Sequence, residues 1–267
     1  MTTEQWTVTR IKAAKGKRKL PCLTAYDYAM ARLVDAAGIP LVLVGDSLAM
    51  TMLGYPNTLP VTVEEMMHHC KAVSRGAPHA LVVADLPFLS YEASVEQAVL
   101  TAGRFVKEGG AHAVKIEGGA FRGPTVEALV RNGIPVLGHI GLTPQSIRQT
   151  GGYKVQGRAE ADAERLAQDA AALDQAGVFA LVLECVPVAL AERITGSISV
   201  PTIGIGAGPD CDGQVLVFHD LVGLTVGRVP RHVKAYADLS TAIRRAVGEF
   251  RDEVRGGTFP GPDQSFD

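Results

Sequence analysis

The chain has 267 residues, 47% of them hydrophobic and 20% charged, with a formal net charge of −2 at pH 7. That length suits a single α/β barrel, and the apolar content supplies a sizeable core and excludes a disordered chain. The near-neutral balance disfavours a nucleic-acid partner, which calls for a basic face.

At the N-terminus, MTTEQWTVTR lacks the apolar stretch of a secretory signal and carries Glu4, a residue type that transit peptides avoid. No apolar run reaches the ~18 residues of a membrane span, so the chain is expected in the cytoplasm with no membrane partner. The basic cluster KGKRK at 15–19 reads as a solvated loop. Cys22, Cys70, Cys185 and Cys211 are widely spaced and read as reduced thiols, neither a disulfide frame nor a zinc site.

Short runs rich in Val, Leu and Ile then recur, each leading into a polar turn. They lie at 20–27, 40–47, 80–87, 112–119, 134–141, 179–186, 200–208 and 214–220. Near-continuous apolar strands are what a parallel sheet covered on both faces requires. Helical patterns lie between them. DYAMARLVDAAG ends at Gly38, TVEEMMHHCKAVSRG opens on Thr62 as N-cap and closes at Gly76, and SVEQAVLTAGRFVKEGG and RAEADAERLAQDAAALDQAG close on glycine likewise. This alternation predicts a (β/α)8 TIM barrel, with a doubly wound open sheet as the alternative. One barrel domain over 1–267 is expected, with a short N-terminal extension and a surface C-terminal tail, RGGTFPGPDQSFD.

Barrel enzymes carry their chemistry at the C-terminal strand ends. Here those ends hold Asp46 and Ser47, then Asp85, then Lys115 and Glu117, then His139, then Glu184. Any one carboxylate there is as readily a helix N-cap. Several at neighbouring strand ends repel one another unless a cation lies between them. Lys115 and Glu117 are two apart on one strand and so share a face, while Ile116 faces the helices. They form either a structural ion pair or a site in which Glu117 binds metal and Lys115 an anionic substrate group. The candidate ligands Asp46, Asp85 and Glu117 are all oxygen donors, which favours Mg2+, then Mn2+ or Ca2+, over Zn2+. Such an ion polarises a keto oxygen and stabilises an enolate. Glu184, in LVLECVP, has apolar neighbours in sequence that would raise its pKa and suit it to a general base; another ligand or a structural hydrogen bond is the alternative. Three roles stay open for His139: orienting substrate, carrying a proton, or packing as a neutral imidazole. His68 and His69 sit mid-helix and read as helix surface or core. GIGAGP after the seventh strand is a weak phosphate-binding signal, equally a tight turn.

TAYDY, LVGDSL, TLPVT, RGAP, ADLPF, VKIEGG, GHIGLTPQS, GGYKVQGR, LVLECVP, IGIGAG and DGQVLVFHD stand in the order expected of the ketopantoate hydroxymethyltransferase family, which the chain resembles from about residue 20 to 220. The C-terminal SF fits as well. The resemblance implies a TIM barrel of the phosphoenolpyruvate/pyruvate type, a homo-oligomer assembled as a decamer, and 5,10-methylenetetrahydrofolate and 3-methyl-2-oxobutanoate as small-molecule substrates. It implies Asp46, Asp85 and Glu117 as ligands of one Mg2+ per subunit. It implies Ser47 and Lys115 as holders of the oxoacid beside Asp46 and Asp85, and Glu184 as proton acceptor. Pro56, in GYPNTLPVT, stands where the family commonly has Asp or His-Asp; the departure bears on a lid, not on the chemistry. Two other readings compete. A Mg2+-dependent carbon–carbon lyase would act without folate, and a non-catalytic scaffold would show a broken site.

Overall fold

Eight short strands pair in parallel and in chain order into a closed barrel: β1 Leu20–Thr24, β2 Leu41–Val44, β3 Leu81–Asp85, β4 Ala113–Glu117, β5 Val136–Gly141, β6 Ala180–Glu184, β7 Thr202–Ile205 and β8 Gly213–Leu216. The structure is a computed structural model that describes residues 5–227 and 229–266; Glu4 and the start of the N-terminal extension lie outside the described residues, as does the last residue of the tail. The helices are α1 Val8–Ala13, α2 Tyr28–Ala36, α3 Leu48–Thr51, α4 Val63–Gly76, α5 Val95–Lys107, α6 Gly123–Arg131, α7 Ile147–Thr150, α8 Glu160–Ala176, α9 Val188–Ser197, α10 Phe218–Leu221 and α11 Leu239–Gly256. The chain divides into two compact units, Met1–Val217 and Phe218–Asp267.

The first unit holds the barrel. Strand side chains alternate between the two faces, and one apolar cluster draws on every strand, with Leu81 and Val83 of β3 beside Leu137 of β5 and Val182 of β6. Ile11 and Ala14 join the same cluster from the segment that precedes β1. Trp6 packs against it, with the guanidinium groups of Arg10 and Arg18 over its ring at 5.0 and 4.4 Å. The core is therefore apolar toward the N-terminal strand ends. Continuing the same alternation toward the other end brings polar side chains into line: Asp85 after Val83, Lys115 and Glu117 after Ala113, His139 after Leu137, Glu184 after Val182.

The N-cap expected at Thr62 is present, whereas Gly76 lies inside α4 and Ala77 caps its end. Thr62 and Glu65 form a capping box at the start of α4, and Ser94 accepts from the Gln97 N–H at the start of α5. His69, inside α4, bonds the carbonyl of Tyr26 at 2.6 Å, a structural role.

Three expectations change. No helix joins β7 to β8; residues 206–212 form a turn too short for a crossover helix, in which a side chain at Gly208 would crowd Val188. The eighth strand stops at Leu216, and Phe218–Leu221 coil into α10 of the second unit. The KGKRK segment is only partly solvated. Lys19 donates to the carbonyls of Cys211 and Pro209 at 2.6 and 3.0 Å, and Lys15 donates to the Thr195 carbonyl at 2.6 Å.

In the second unit, α11 buries none of its residues. Leu239, Ile243, Val247, Phe250 and Val254 recur along it at helical spacing and are exposed, so one face is an apolar stripe.

Asp212 ties the segment before β1 to β7 and β8. Its carboxylate receives Lys15 Nζ at 2.8 Å and the N–H groups of Gly16 and Thr202 at 3.0 and 2.9 Å. Burial works to raise its pKa, but Lys15 and these N–H donors hold it below the usual aspartate value. Asp212→Asn leaves a half-buried ammonium without its counter-charge and is expected to cost about 2–4 kcal/mol in urea unfolding at neutral pH. A depressed carboxyl pKa stabilises above the unfolded value and is lost as pH falls through the folded one. The difference between wild type and variant should therefore narrow with acidification below the ordinary aspartate pKa.

Candidate active site

Register decides which polar side chains meet. Asp85 pairs with Lys115 across β3 and β4, Glu117 with His139 across β4 and β5, and Gly141 with Glu184 across β5 and β6. Lys115 Nζ stands 2.9 Å from Asp85 Oδ2 and 3.8 Å from Glu117 Oε1. His139 lies between two carboxylates, Nδ1 3.5 Å from Glu117 Oε1 and Nε2 3.3 Å from Glu184 Oε2. Both contacts are ion pairs without well-aligned hydrogen bonds. Asp46 belongs to the same cluster: its N–H donates to Asp85 Oδ2 at 3.1 Å. Asp46, Asp85, Lys115, Glu117 and His139 are each at most 4% exposed. Ser47 is turned toward Tyr26, with the two hydroxyls 2.8 Å apart.

Glu184 is not in the apolar setting expected from its sequence neighbours. The polar Nε2 of His139 faces it, and its side chain keeps 17% of its exposure. The backbone there is tightly constrained. Gly141 has φ +94°, and a side chain on it would overlap the Glu184 carbonyl oxygen. Cys185, next in the chain, is left-handed at φ +48°. That geometry costs ~1–3 kcal/mol and is held by bonds from the Cys185 N–H to Ile205 O and from the Gln156 N–H to Cys185 O, both 2.9 Å.

Sequence reasoning missed Gln145. Its Nε2 donates to Asp46 Oδ2 and to the Leu86 carbonyl, both at 2.9 Å, and its N–H donates to Glu117 Oε2 at 3.1 Å. Its Oε1 accepts from the Tyr91 hydroxyl at 2.7 Å, and Tyr91 Oη accepts the Glu117 N–H at 3.2 Å. One residue thus fixes two carboxylates, Asp46 through its side chain and Glu117 through its backbone N–H. Gln145 stands in GHIGLTPQS, beyond the strand, where a lone glutamine carries no chemical signature. Tyr26, in TAYDY, went unassigned for the same reason.

Burial raises Asp46 above the usual carboxylate range, and the charges of Asp85 and Glu117 push further. Burial also raises Asp85, against the pull of Lys115. For Glu117 burial works upward, but His139, Lys115 and the Gln145 N–H outweigh it and hold the carboxyl below its usual value. Burial disfavours the Lys115 charge, yet Asp85, Glu117 and Asp46 raise its pKa. The same balance holds at His139: burial lowers, but Glu117 and Glu184 carry the imidazole up to about 9. The two flanking carboxylates thus pull the ring toward its protonated form.

The four carboxylates Asp46, Asp85, Glu117 and Glu184 face two cations, Lys115 and His139, which leaves two negative charges unbalanced when all are ionised. Asp85 Oδ1 is buried and has no hydrogen-bond partner. Among the described residues no three His, Cys, Asp or Glu side chains form a ready metal cage. Mg2+ does not need one, since it keeps several waters and binds through one or two carboxylates plus substrate. The all-oxygen donor set, the charge deficit and the orphaned oxygen fit a hard divalent cation.

The ketopantoate hydroxymethyltransferase family profile matches residues 5–262. The chain belongs to that family. A 3-methyl-2-oxobutanoate hydroxymethyltransferase of Moorella thermoacetica is 60% identical over 261 residues, 97% of each chain. The protein of that name from Syntrophus aciditrophicus is 56% identical, over 97% of this chain and 96% of its own. Among solved structures, phosphoenolpyruvate phosphomutase from Streptomyces platensis subsp. rosaceus superposes with TM-score 0.62 at 14% identity, over 98% of this chain and 92% of that one. A 2,3-dimethylmalate lyase of the PEP mutase/isocitrate lyase superfamily gives 0.60 at 18% identity, over 97% and 91%. These two show the fold alone, a closed eight-stranded parallel barrel with helices.

A raised histidine pKa stabilises below the unfolded value and is lost as pH rises through the folded one. In metal-free protein the His139 ring should titrate by NMR with a midpoint about 9. The midpoint should fall in Glu184→Gln, and an ordinary histidine value in the wild type would show that the two carboxylates do not act on the ring.

Proposed function

We propose that the chain is an enzyme of pantothenate biosynthesis that transfers a hydroxymethyl group from 5,10-methylenetetrahydrofolate to 3-methyl-2-oxobutanoate, giving 2-dehydropantoate and tetrahydrofolate. The observation that carries this reading is the 60% identity, over 97% of both chains, to a protein of that name. The chemistry of the strand ends supports it.

Asp46, Asp85 and Glu117 would hold one Mg2+ per subunit, placed at the charge deficit described above. A bound dication supplies Lewis acidity toward the keto oxygen of the substrate. Lys115 and Ser47 hold the oxoacid, and the Lys115 ammonium balances the negative charge that develops when C3 is deprotonated. Glu184 accepts the C3 proton. His139 holds the Glu184 carboxylate in place through its Nε2, a positioning role. Both bonds from the one-carbon unit to the folate nitrogens break: the electron pair left on C3 forms the new carbon–carbon bond, water supplies the hydroxyl oxygen, and the two nitrogens of tetrahydrofolate take up one proton from that water and the one removed from C3. Gln145 keeps Asp46 and Glu117 apart and oriented.

A homo-oligomer, a decamer by family likeness, belongs to the same reading. The exposed apolar stripe of α11 supports association between copies. Four free cysteines accord with the cytoplasm.

The test is proton NMR in D2O with both substrates and MgCl2. A hydroxymethyl signal that requires folate and disappears with EDTA is expected. Glu184→Gln should slow loss of the C3 proton signal by about 10²–10⁴-fold, and exchange at the full rate would remove Glu184 as the base. Gln145→Leu should weaken Mg2+ binding, measured by calorimetry, by roughly 10–100-fold. With neither exchange nor product from folded, metal-loaded protein, the transferase reading fails and the lyase reading is tested next.

A further inference from the structure

A cavity of about 460 Å³ opens beside the carboxylate cluster. Its volume lies within the ~300–1,000 Å³ typical of sites for drug-sized ligands. It shares Tyr91, Glu117 and Gln145 with the cluster and runs outward past Gly118 and Gly119 to Phe121, Arg122 and Asp169. It therefore has an inner end at the reacting groups and an outer end of different chemistry.

Three features of the outer end point to a flat, nitrogen-rich ring. Phe121 stands at the rim with 72% of its surface exposed, which leaves ring area open for stacking. The Arg122 guanidinium lies over Tyr91 and Phe121 at 4.9 and 5.0 Å, its Nε is buried without a hydrogen-bond partner, and no carboxylate pairs with it among the described residues. The guanidinium lines the cavity, and its terminal N–H groups, with no carboxylate partner, suit an acceptor such as a ring carbonyl. Asp169 uses Oδ1 to accept the Ala120 N–H at 2.7 Å, and its Oδ2 has no hydrogen-bond partner among the described residues. A carboxylate oxygen so placed suits the N–H donors of an aminopyrimidine edge. Glycine at 118 and 119 keeps the wall open: Gly118 has φ +121°, and a side chain at Gly119 would overlap Asp169.

We propose that this cavity seats the pterin of the one-carbon donor, stacked at Phe121, with Asp169 accepting from its aminopyrimidine edge and Arg122 donating to its ring carbonyl. The inference rests on the transferase reading above. It places the donor's one-carbon unit at the inner end, next to Glu117 and the substrate carbon, and directs the anionic glutamyl tail toward solvent.

The test separates the two halves of the reaction. Asp169→Asn keeps an oxygen for the Ala120 N–H but presents an amide donor to the pterin edge, and Phe121→Ala removes an exposed ring. Both variants, with Mg2+ and the full chain, are titrated with tetrahydrofolate by calorimetry, and their KM for 5,10-methylenetetrahydrofolate is measured. Deuterium exchange at C3 of 3-methyl-2-oxobutanoate, which needs no folate, is followed alongside. Each variant should weaken folate binding and raise its KM by tenfold or more, while the KM for the oxoacid and the exchange rate stay within about twofold of wild type. Wild-type folate affinity in both variants would overturn the proposal and leave the transferase reading standing. Parallel loss of exchange and folate binding would also overturn it, by showing a merely structural role. A wild-type protein that exchanges C3 but neither binds folate nor forms product would instead sink the transferase reading, and the pterin site with it.

Discussion

The Lys115 ammonium, buried 2.9 Å from Asp85, is the interaction on which the site depends. Burying a carboxylate costs several kcal/mol unless charge and hydrogen bonds compensate. Here Asp46, Asp85 and Glu117 are all buried within one cluster. Lys115 offsets part of that cost, His139 another part, and the Gln145 amide supplies hydrogen bonds that neither cation can. The remaining imbalance is negative. Without a further cation the raised pKa of Asp46 relieves that imbalance by protonation, and a bound cation would take the place of the proton.

The barrel makes this burial possible by keeping its two ends chemically distinct. Every strand runs the same way, so the residues that face inward near the strand starts form one apolar layer, and those that face inward near the strand finishes form the polar one. The segment before β1 seals the apolar end with Ile11 and Ala14, and Asp212 fastens that segment to β7 and β8. A rigid lower barrel lets the upper end carry unfavourable chemistry: like charges side by side and a left-handed Cys185 next to Glu184.

Functions divide around Glu117. Its side chain meets the cluster through Lys115 and His139 and also borders the adjoining cavity. One carboxylate thus borders both the buried cluster and the cavity. The Tyr91–Gln145 pair spans the same boundary, since it bonds both sides of Glu117 and reaches Asp46. Movement of either partner would be felt in both sites.

The sequence by itself determined the barrel, its strand order and its polar rim. The reason is that these are local: period-two alternation, apolar runs, caps such as Thr62 and a left-handed Gly38 depend on neighbours in the chain. It also supplied Asp46, Asp85, Lys115, Glu117, His139 and Glu184, because each ends an apolar run where burial of charge is conspicuous. It misjudged KGKRK, whose lysines find carbonyls and a carboxylate nearly 200 positions away, at separations of 180 to 197 residues. It gave the β7–β8 connection a helix that the short turn does not hold. It also left Gln145 unremarked, and it set Glu184 among apolar neighbours where the structure brings an imidazole. Only the tertiary structure decided those points. Which side chains meet across a barrel depends on register between strands far apart in the chain, and no local pattern encodes that register.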